Sequence, residues 1–127
     1  MYWKNDIQRF NAAAEDGKLI RYMINPPEQT CLHVVRINGE LIKYIKNPSE
    51  NVMLQAIQNN YENLAYISNP TDNVIISALM NNTNAIFYVK TKEISKELFV
   101  RMDLVMINHQ FYKKLVDLLL IEARKEW

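Results

Sequence analysis

Few side chains in this sequence could do chemistry. They are His33 and His109, the single thiol of Cys31, the carboxylates Glu28, Glu50 and Asp72 at equal intervals, and Tyr22, Tyr44, Tyr66 and Tyr88. A metal centre or a general base needs several such groups converging on one point. Cys31 and His33 stand two residues apart, and on a helix that spacing sends their side chains to opposite sides, away from a common ion. His109 belongs to a different segment. Glu28, Glu50 and Asp72 would sit about 10 Å apart on packed helices, too far to share a proton. A phosphate-cradling loop needs more glycine than Gly17 and Gly39, the only two in the chain. The residues predict no catalytic set, no metal ligands and no cofactor, and hence a protein that is not an enzyme.

The equal intervals are a stronger signal. The four tyrosines are spaced 22 residues apart throughout. In that register Asn25-Pro26, Asn47-Pro48 and Asn69-Pro70 align, followed by Glu28, Glu50 and Asp72, then Leu32, Leu54 and Ile76, then Asn38, Asn60 and Asn82. Residues 25–46, 47–68 and 69–90 are therefore three repeats. Residues 1–24 form a degenerate N-terminal unit, since Asp6, Phe10, Ala13 and Asp16-Gly17 fall on the same columns. Residues 91–127 keep Leu98 in register, lose Asn-Pro to Thr91-Lys92, and read as a divergent last unit with a C-terminal helix. Tandem units of this size bury their apolar faces on one another.

Each column has a local role. Asn-Pro followed by an acid reads as a helix start, with Asn as N-cap, Pro in the first turn and the acid facing the positive helix end. The spacing predicts first helices over Pro26–Ile37, Pro48–Asn59 and Pro70–Asn81. Asn38-Gly39, Asn60 and Asn82 read as stops that close these helices in the left-handed conformation. A second, shorter helix follows each stop. In the third unit Val52, Met53, Leu54, Ala56 and Ile57 leave only Asn51, Gln55 and Gln58 as a polar strip, so this helix must be packed on several sides. His33 shares its column with Gln55 and Ser77 and is expected in water, whereas Cys31 shares its column with Met53 and Ile75 and is expected in the core. The column Ala12, Val34, Ala56, Ala78 allows close helix approach. The fold class expected is all-α: a short α-solenoid of stacked helix-turn-helix repeats with a C-terminal capping helix, 1–127 forming a single repeat domain.

Units reading Tyr-Ile-x-Asn-Pro-Ser-Glu, an apolar helix, Asn and a second short helix resemble the short helical-pair tandem repeats of bacterial and bacteriophage proteins of unknown function. More distantly they are similar to variant leucine-rich and HEAT-type repeats. The resemblance covers residues 22–90 and brings no catalytic residues. It implies a non-catalytic protein-binding scaffold, of which a phage or mobile-element inhibitor of a host defence protein is one example.

Fifteen basic and fourteen acidic side chains give a net charge of +1, so no global field draws the chain to nucleic acid or an anionic membrane. Residues 22–87 hold Arg36, Lys43 and Lys46 against Glu28, Glu40, Glu50, Glu62 and Asp72, which also opposes a nucleic-acid partner. A single thiol, an N-terminal MYWKNDIQRF without an apolar stretch and no long apolar run predict a cytoplasmic protein outside the membrane. In a solenoid, binding residues sit where units vary on a constant frame. The outward columns of the second helices contain Arg21, Lys43, Ala65 and Phe87, with Glu62 and Asn84 one turn earlier, and these six are the expected partner-binding residues. A nucleic-acid-binding helical repeat using the tyrosine column, and a small-ligand sponge, are the alternative functions. Phe111, Leu115, Leu118, Leu119 and Trp127 are the expected cap and homodimer contact.

Overall fold

The computed structural model describes residues 4–106, 110–125 and 127, apart from the side chains of residues 91, 110–113, 115, 116 and 119. In chain order the elements are α1 (Asp6–Glu15), η1 (Gly17–Tyr22), α2 (Glu28–Ile37), η2 (Gly39–Tyr44), α3 (Glu50–Asn59), η3 (Tyr61–Tyr66), α4 (Asp72–Asn81), η4 (Thr83–Tyr88), η5 (Thr91–Glu93), α5 (Lys96–Met106) and α6 (Gln110–Arg124), where η denotes a 3-10 helix. There is no strand among the described residues, and no helix among them is long and apolar enough to cross a membrane. Each α-helix packs against the next, as does each 3-10 helix from η1 to η4. The chain is thus all-helical, with neighbours in sequence packed as neighbours in space.

Three helices, α3, α4 and α5, start on hydroxyls, and the asparagine caps expected at Asn25, Asn47 and Asn69 are not formed. Ser49 Oγ accepts from Val52 N at 3.3 Å, Thr71 Oγ1 from Val74 N at 3.3 Å and Ser95 Oγ from Leu98 N at 3.1 Å. Asn5 caps α1 in the same way, and Pro27 begins α2 with no side-chain cap. Asn-Pro lies before the cap and makes the turn into it. Asn25 and Asn47 there have φ of 47° and 50°, the left-handed region that asparagine tolerates better than most residues.

The helix stops work by a different device from the one expected. Asn38, Asn60 and Asn82 are extended, with φ of −143°, −163° and −156°. Each gives its own N–H to a carbonyl four residues back, while its side chain accepts from the amide two residues on: Glu40 N at 3.2 Å, Glu62 N at 2.9 Å and Asn84 N at 2.8 Å. One residue ends the α-helix and starts the 3-10 helix. Asp16 does the same for η1, bonding Lys18 N at 3.1 Å. The second helices are six-residue 3-10 turns, and residues three apart at their ends, such as Leu64 and the following Ile67, are buried along one narrow edge.

Polar side chains join one unit to the next. Ser49 donates its hydroxyl hydrogen to Glu28, and Thr71 donates to Glu50. Glu28 and Glu50 therefore accept from the following helix's cap as well as facing a helix N-terminus. Asn59 accepts from Gly39 N at 3.1 Å and donates to Arg36 O at 3.3 Å, while the buried Asn63 donates to Ala56 O at 3.0 Å. Gly39 has no positive φ; its role is close approach rather than a left-handed stop. A Cβ there would overlap the Asn63 amide nitrogen and lie 2.9 Å from Asn59 Oδ1 and 3.1 Å from Ala56 O. Around these bonds Val34, Val35, Ala56, Ile57, Ala78 and Leu79 form a continuous core, and Cys31, Met53 and Ile75 are buried with it.

At the C-terminal end the period slips. The hydroxyl caps are 22 residues apart from Ser49 to Thr71 and 24 apart from Thr71 to Ser95. The short turn η5 takes up the extra length, and Leu98, Met102 and Met106 become the buried edge of α5. α6 packs on α5, η4 and η5, burying Leu120 and Ala123. Leu118 is exposed. Trp127 donates from its ring N–H to Ile94 O at 3.0 Å, with its ring 6.4 Å from that of Phe99. The side chains of Phe111, Leu115 and Leu119, and the whole of His109, lie outside the described residues.

Ser49→Ala is expected to lower stability by about 1 kcal/mol in urea titration, the ordinary loss for a hydroxyl cap. Asn47→Gly should leave stability within about 0.5 kcal/mol of the parent, because glycine accepts the left-handed backbone. A larger loss for Asn47→Gly than for Ser49→Ala would return the cap to asparagine. Gly39→Ala should cost about 2 kcal/mol by displacing the Asn59 and Asn63 amides. Gly17→Ala should cost less than about 1 kcal/mol, since the added carbon meets the movable end of Leu41.

Candidate functional site

The side chains suited to catalysis are kept apart. Among the described residues no group of three or more His, Cys, Asp or Glu could hold a metal ion. Cys31 is buried, and burial together with the charge of Glu28 pushes its thiol up to about 11. His33 is half-buried, with its ring 5.0 Å from Phe10, rather than lying in water as expected; α1 covers that part of the strip. Glu93 is the one carboxylate among the described residues whose oxygens are buried without a hydrogen-bond partner. Burial pushes its carboxyl up, against the opposing charges of Lys90, whose ammonium is 3.9 Å away, and Lys92.

The 3-10 helices arrange a different set. Their last two residues repeat as Arg21-Tyr22, Lys43-Tyr44, Ala65-Tyr66 and Phe87-Tyr88. The Arg21 guanidinium carbon is 4.7 Å from the Tyr22 ring centroid and 5.6 Å from that of Tyr44. The Lys43 ammonium is 5.3 Å from the rings of both Tyr44 and Tyr66. Tyr22, Arg21, Tyr44, Lys43 and Tyr66 thus form an alternating ladder of rings and cations across η1, η2 and η3. Both cations are held in the charged state, Arg21 by its bond to the Tyr22 hydroxyl and Lys43 by Glu40 at 2.9 Å. The alternation stops where Ala65 replaces the cation. Beyond it Tyr61 meets Tyr88 edge-on at 6.3 Å, and burial next to Glu62 pushes the Tyr88 hydroxyl up.

Beside the ladder, the turns from each 3-10 helix into the next α-helix leave two clefts. The first, of about 660 Å³, lies between residues 20–26 and 44–49, with Cys31 and Val52 at its floor. The second, of about 560 Å³, lies between residues 42–48 and 66–69, with Met53 behind it. They share Ile45, Lys46, Asn47 and Pro48 as a dividing ridge. Arg21, Lys43 and Lys46 line the pair of clefts, and Glu28, already accepting from Ser49, is the only acid that does. Cations thus outnumber acids in the lining although residues 22–87 hold more acids than bases.

Of the six residues expected to bind a partner, Arg21, Lys43, Ala65 and Phe87 occupy the last turns of η1 to η4 and are exposed, Phe87 to 61%. Arg21 and Lys43 come together on Tyr44. Glu62 and Asn84 lie in the first turns of η3 and η4, exposed and half-buried respectively. Tyr22, Tyr44, Tyr66, Asn47 and Pro48 border the same face and are not among those six; the adjacent Arg21-Tyr22 and Lys43-Tyr44 pairs are the sequence signal that marks them.

The state of Cys31 gives a pH prediction. A thiol raised by folding stabilises the fold fully below its ordinary range near 9, and that stability is lost as pH rises from 9 through about 11. Urea midpoints should hold steady from pH 7 to 8.5 and fall above 9.5, and Cys31→Ser should abolish that component of the fall. Ellman's reagent at pH 8 should label the native chain only at the rate of unfolding.

Comparison of the chain with family models, with curated proteins and with solved structures gives no match.

Proposed function

We propose that the chain is a short α-solenoid acting as a non-catalytic protein-binding scaffold, with the ladder and its two clefts as the docking face. The carrying observation is the run of rings and cations along η1 to η3, exposed except at the half-buried Tyr44 and bordered by clefts that a chain segment could enter. A frame that repeats while its outward residues change from Arg21 through Lys43 and Ala65 to Phe87 suits recognition of one extended partner. The packing of each element on its counterpart one unit later supports the solenoid reading. A module of this kind acts by occupying or tethering what it binds.

The ladder disfavours the nucleic-acid alternative. Base stacking needs an open ring face, and Tyr44 has two cations within about 6 Å of its centroid, Arg21 from the preceding unit and Lys43 from its own. A base would have to displace Arg21 or Lys43. Panning a random dodecapeptide display library on the intact chain is expected to enrich peptides that compete with one another and lose binding on Tyr44→Ala, with helical content and melting checked in parallel. Enriched peptides that bind Tyr44→Ala as tightly as the parent would move the docking face elsewhere. Failure to enrich any sequence, with tight salt-dependent retention of a ten-nucleotide single strand, would replace the protein partner by nucleic acid.

A further inference from the structure

We infer that the two clefts hold an acidic segment of the partner in the polyproline II conformation, with a carboxylate at every third residue. This rests on the protein-binding reading and adds the chemical class and conformation of the occupant.

Charge supplies the first argument. Arg21, Lys43 and Lys46 border the clefts against Glu28, whose carboxylate is engaged by Ser49. Glu40 holds Lys43 but lines neither cleft, and an exposed pair of that kind exchanges readily for another carboxylate. An incoming acidic side chain therefore meets three cations without displacing a buried group.

Pitch supplies the second. Arg21 and Lys43 occupy the same column one unit apart, and their charged groups stand 5.6 and 5.3 Å from the Tyr44 ring centroid, hence no more than about 11 Å from each other. Polyproline II rises about 3.1 Å per residue with three residues per turn, so side chains at i and i+3 share a face about 9.3 Å apart. A β-strand would send those two side chains to opposite faces. Carboxylates on every third residue of a polyproline II segment thus follow Arg21 and Lys43 in step. Lys46 stands on the ridge between the clefts, beside the path.

Surface chemistry supplies the third. Tyr22, Tyr44 and Tyr66 border the same path, and Tyr22 and Tyr66 are 50% and 41% exposed. Proline-rich segments dock on tyrosine-lined grooves because the ligand is already extended and loses little freedom. Where the column turns to Ala65, charge gives way to apolar surface, so the acidic residues lie toward Arg21 and an apolar residue lies toward Tyr66.

The test is fluorescence anisotropy of the full chain with labelled nonapeptides of three Glu-Pro-Pro, Gln-Pro-Pro, Lys-Pro-Pro or Glu-Gly-Gly triplets, and with a ten-nucleotide oligouridylate. The Glu-Pro-Pro peptide is expected to bind at least about tenfold tighter than the Gln-Pro-Pro and Lys-Pro-Pro peptides, and tighter than the flexible Glu-Gly-Gly peptide. Lys46→Glu and Arg21→Glu, each with an unchanged melting curve, should weaken it about tenfold. Equal binding of the Gln-Pro-Pro peptide removes the charge argument, and equal binding of Glu-Gly-Gly removes the conformation. Tighter binding of the oligouridylate, or indifference to both charge reversals, overturns the proposal. If panned peptides bind at the ladder and the Glu-Pro-Pro peptide does not, this inference fails while the scaffold reading stands. If neither binds, both fail.

Discussion

A ten-residue α-helix followed by a six-residue 3-10 helix cannot hold its backbone bonds against water alone. Each such pair of helices therefore depends on apolar faces pressed against the helices that neighbour it in sequence. That constraint explains why Val34, Ala56 and Ala78 are buried almost completely in one column, and why the polar bonds between units fall where the chain changes direction. The Ser49–Glu28 and Thr71–Glu50 bonds lock the starts of adjacent helices, and Asn59 locks their ends. Apolar burial supplies the driving force, and these bonds set the registration.

The buried columns were legible because apolar residues at a fixed interval in the sequence are the ones that lie inside. Leu64, Ile67, Cys31 and Met53 lie inside as their columns required. The meaning of asparagine was not legible, since Asn serves equally well as a helix cap, a left-handed turn residue and the start of a 3-10 helix. Here Asn47 is the second and Asn60 the third. Helix type was hidden for a related reason: apolar residues three apart fit either an α-helix or a 3-10 helix. The two-residue slip before α5 left a trace in Ser95, which resumes the hydroxyl cap after a spacing that a strict repeat does not allow.

The clefts were harder to foresee. They form between turns of different units, so no single unit contains one, and their charge runs against that of the chain segment that builds them. Glu40, Glu50, Glu62 and Asp72 count toward the composition of the repeats but line neither cleft. Counting charges along the chain therefore understates what a ligand in the clefts would meet. The fading of the ladder from Arg21 and Lys43 to Ala65 also gives the face a direction.

The Gly39 amide is held by the Asn59 side chain, while the Asn38 side-chain oxygen accepts from Glu40. Asn-Gly is the dipeptide in which the asparagine side chain is most readily attacked by the following backbone nitrogen, closing a succinimide and releasing ammonia. That nitrogen is committed to a neighbouring unit here, and the asparagine backbone is held extended. The bond from Gly39 to Asn59 is thus also a guard against chemical ageing at Asn38, and unfolding would open to that reaction the residue that ends one helix and starts another.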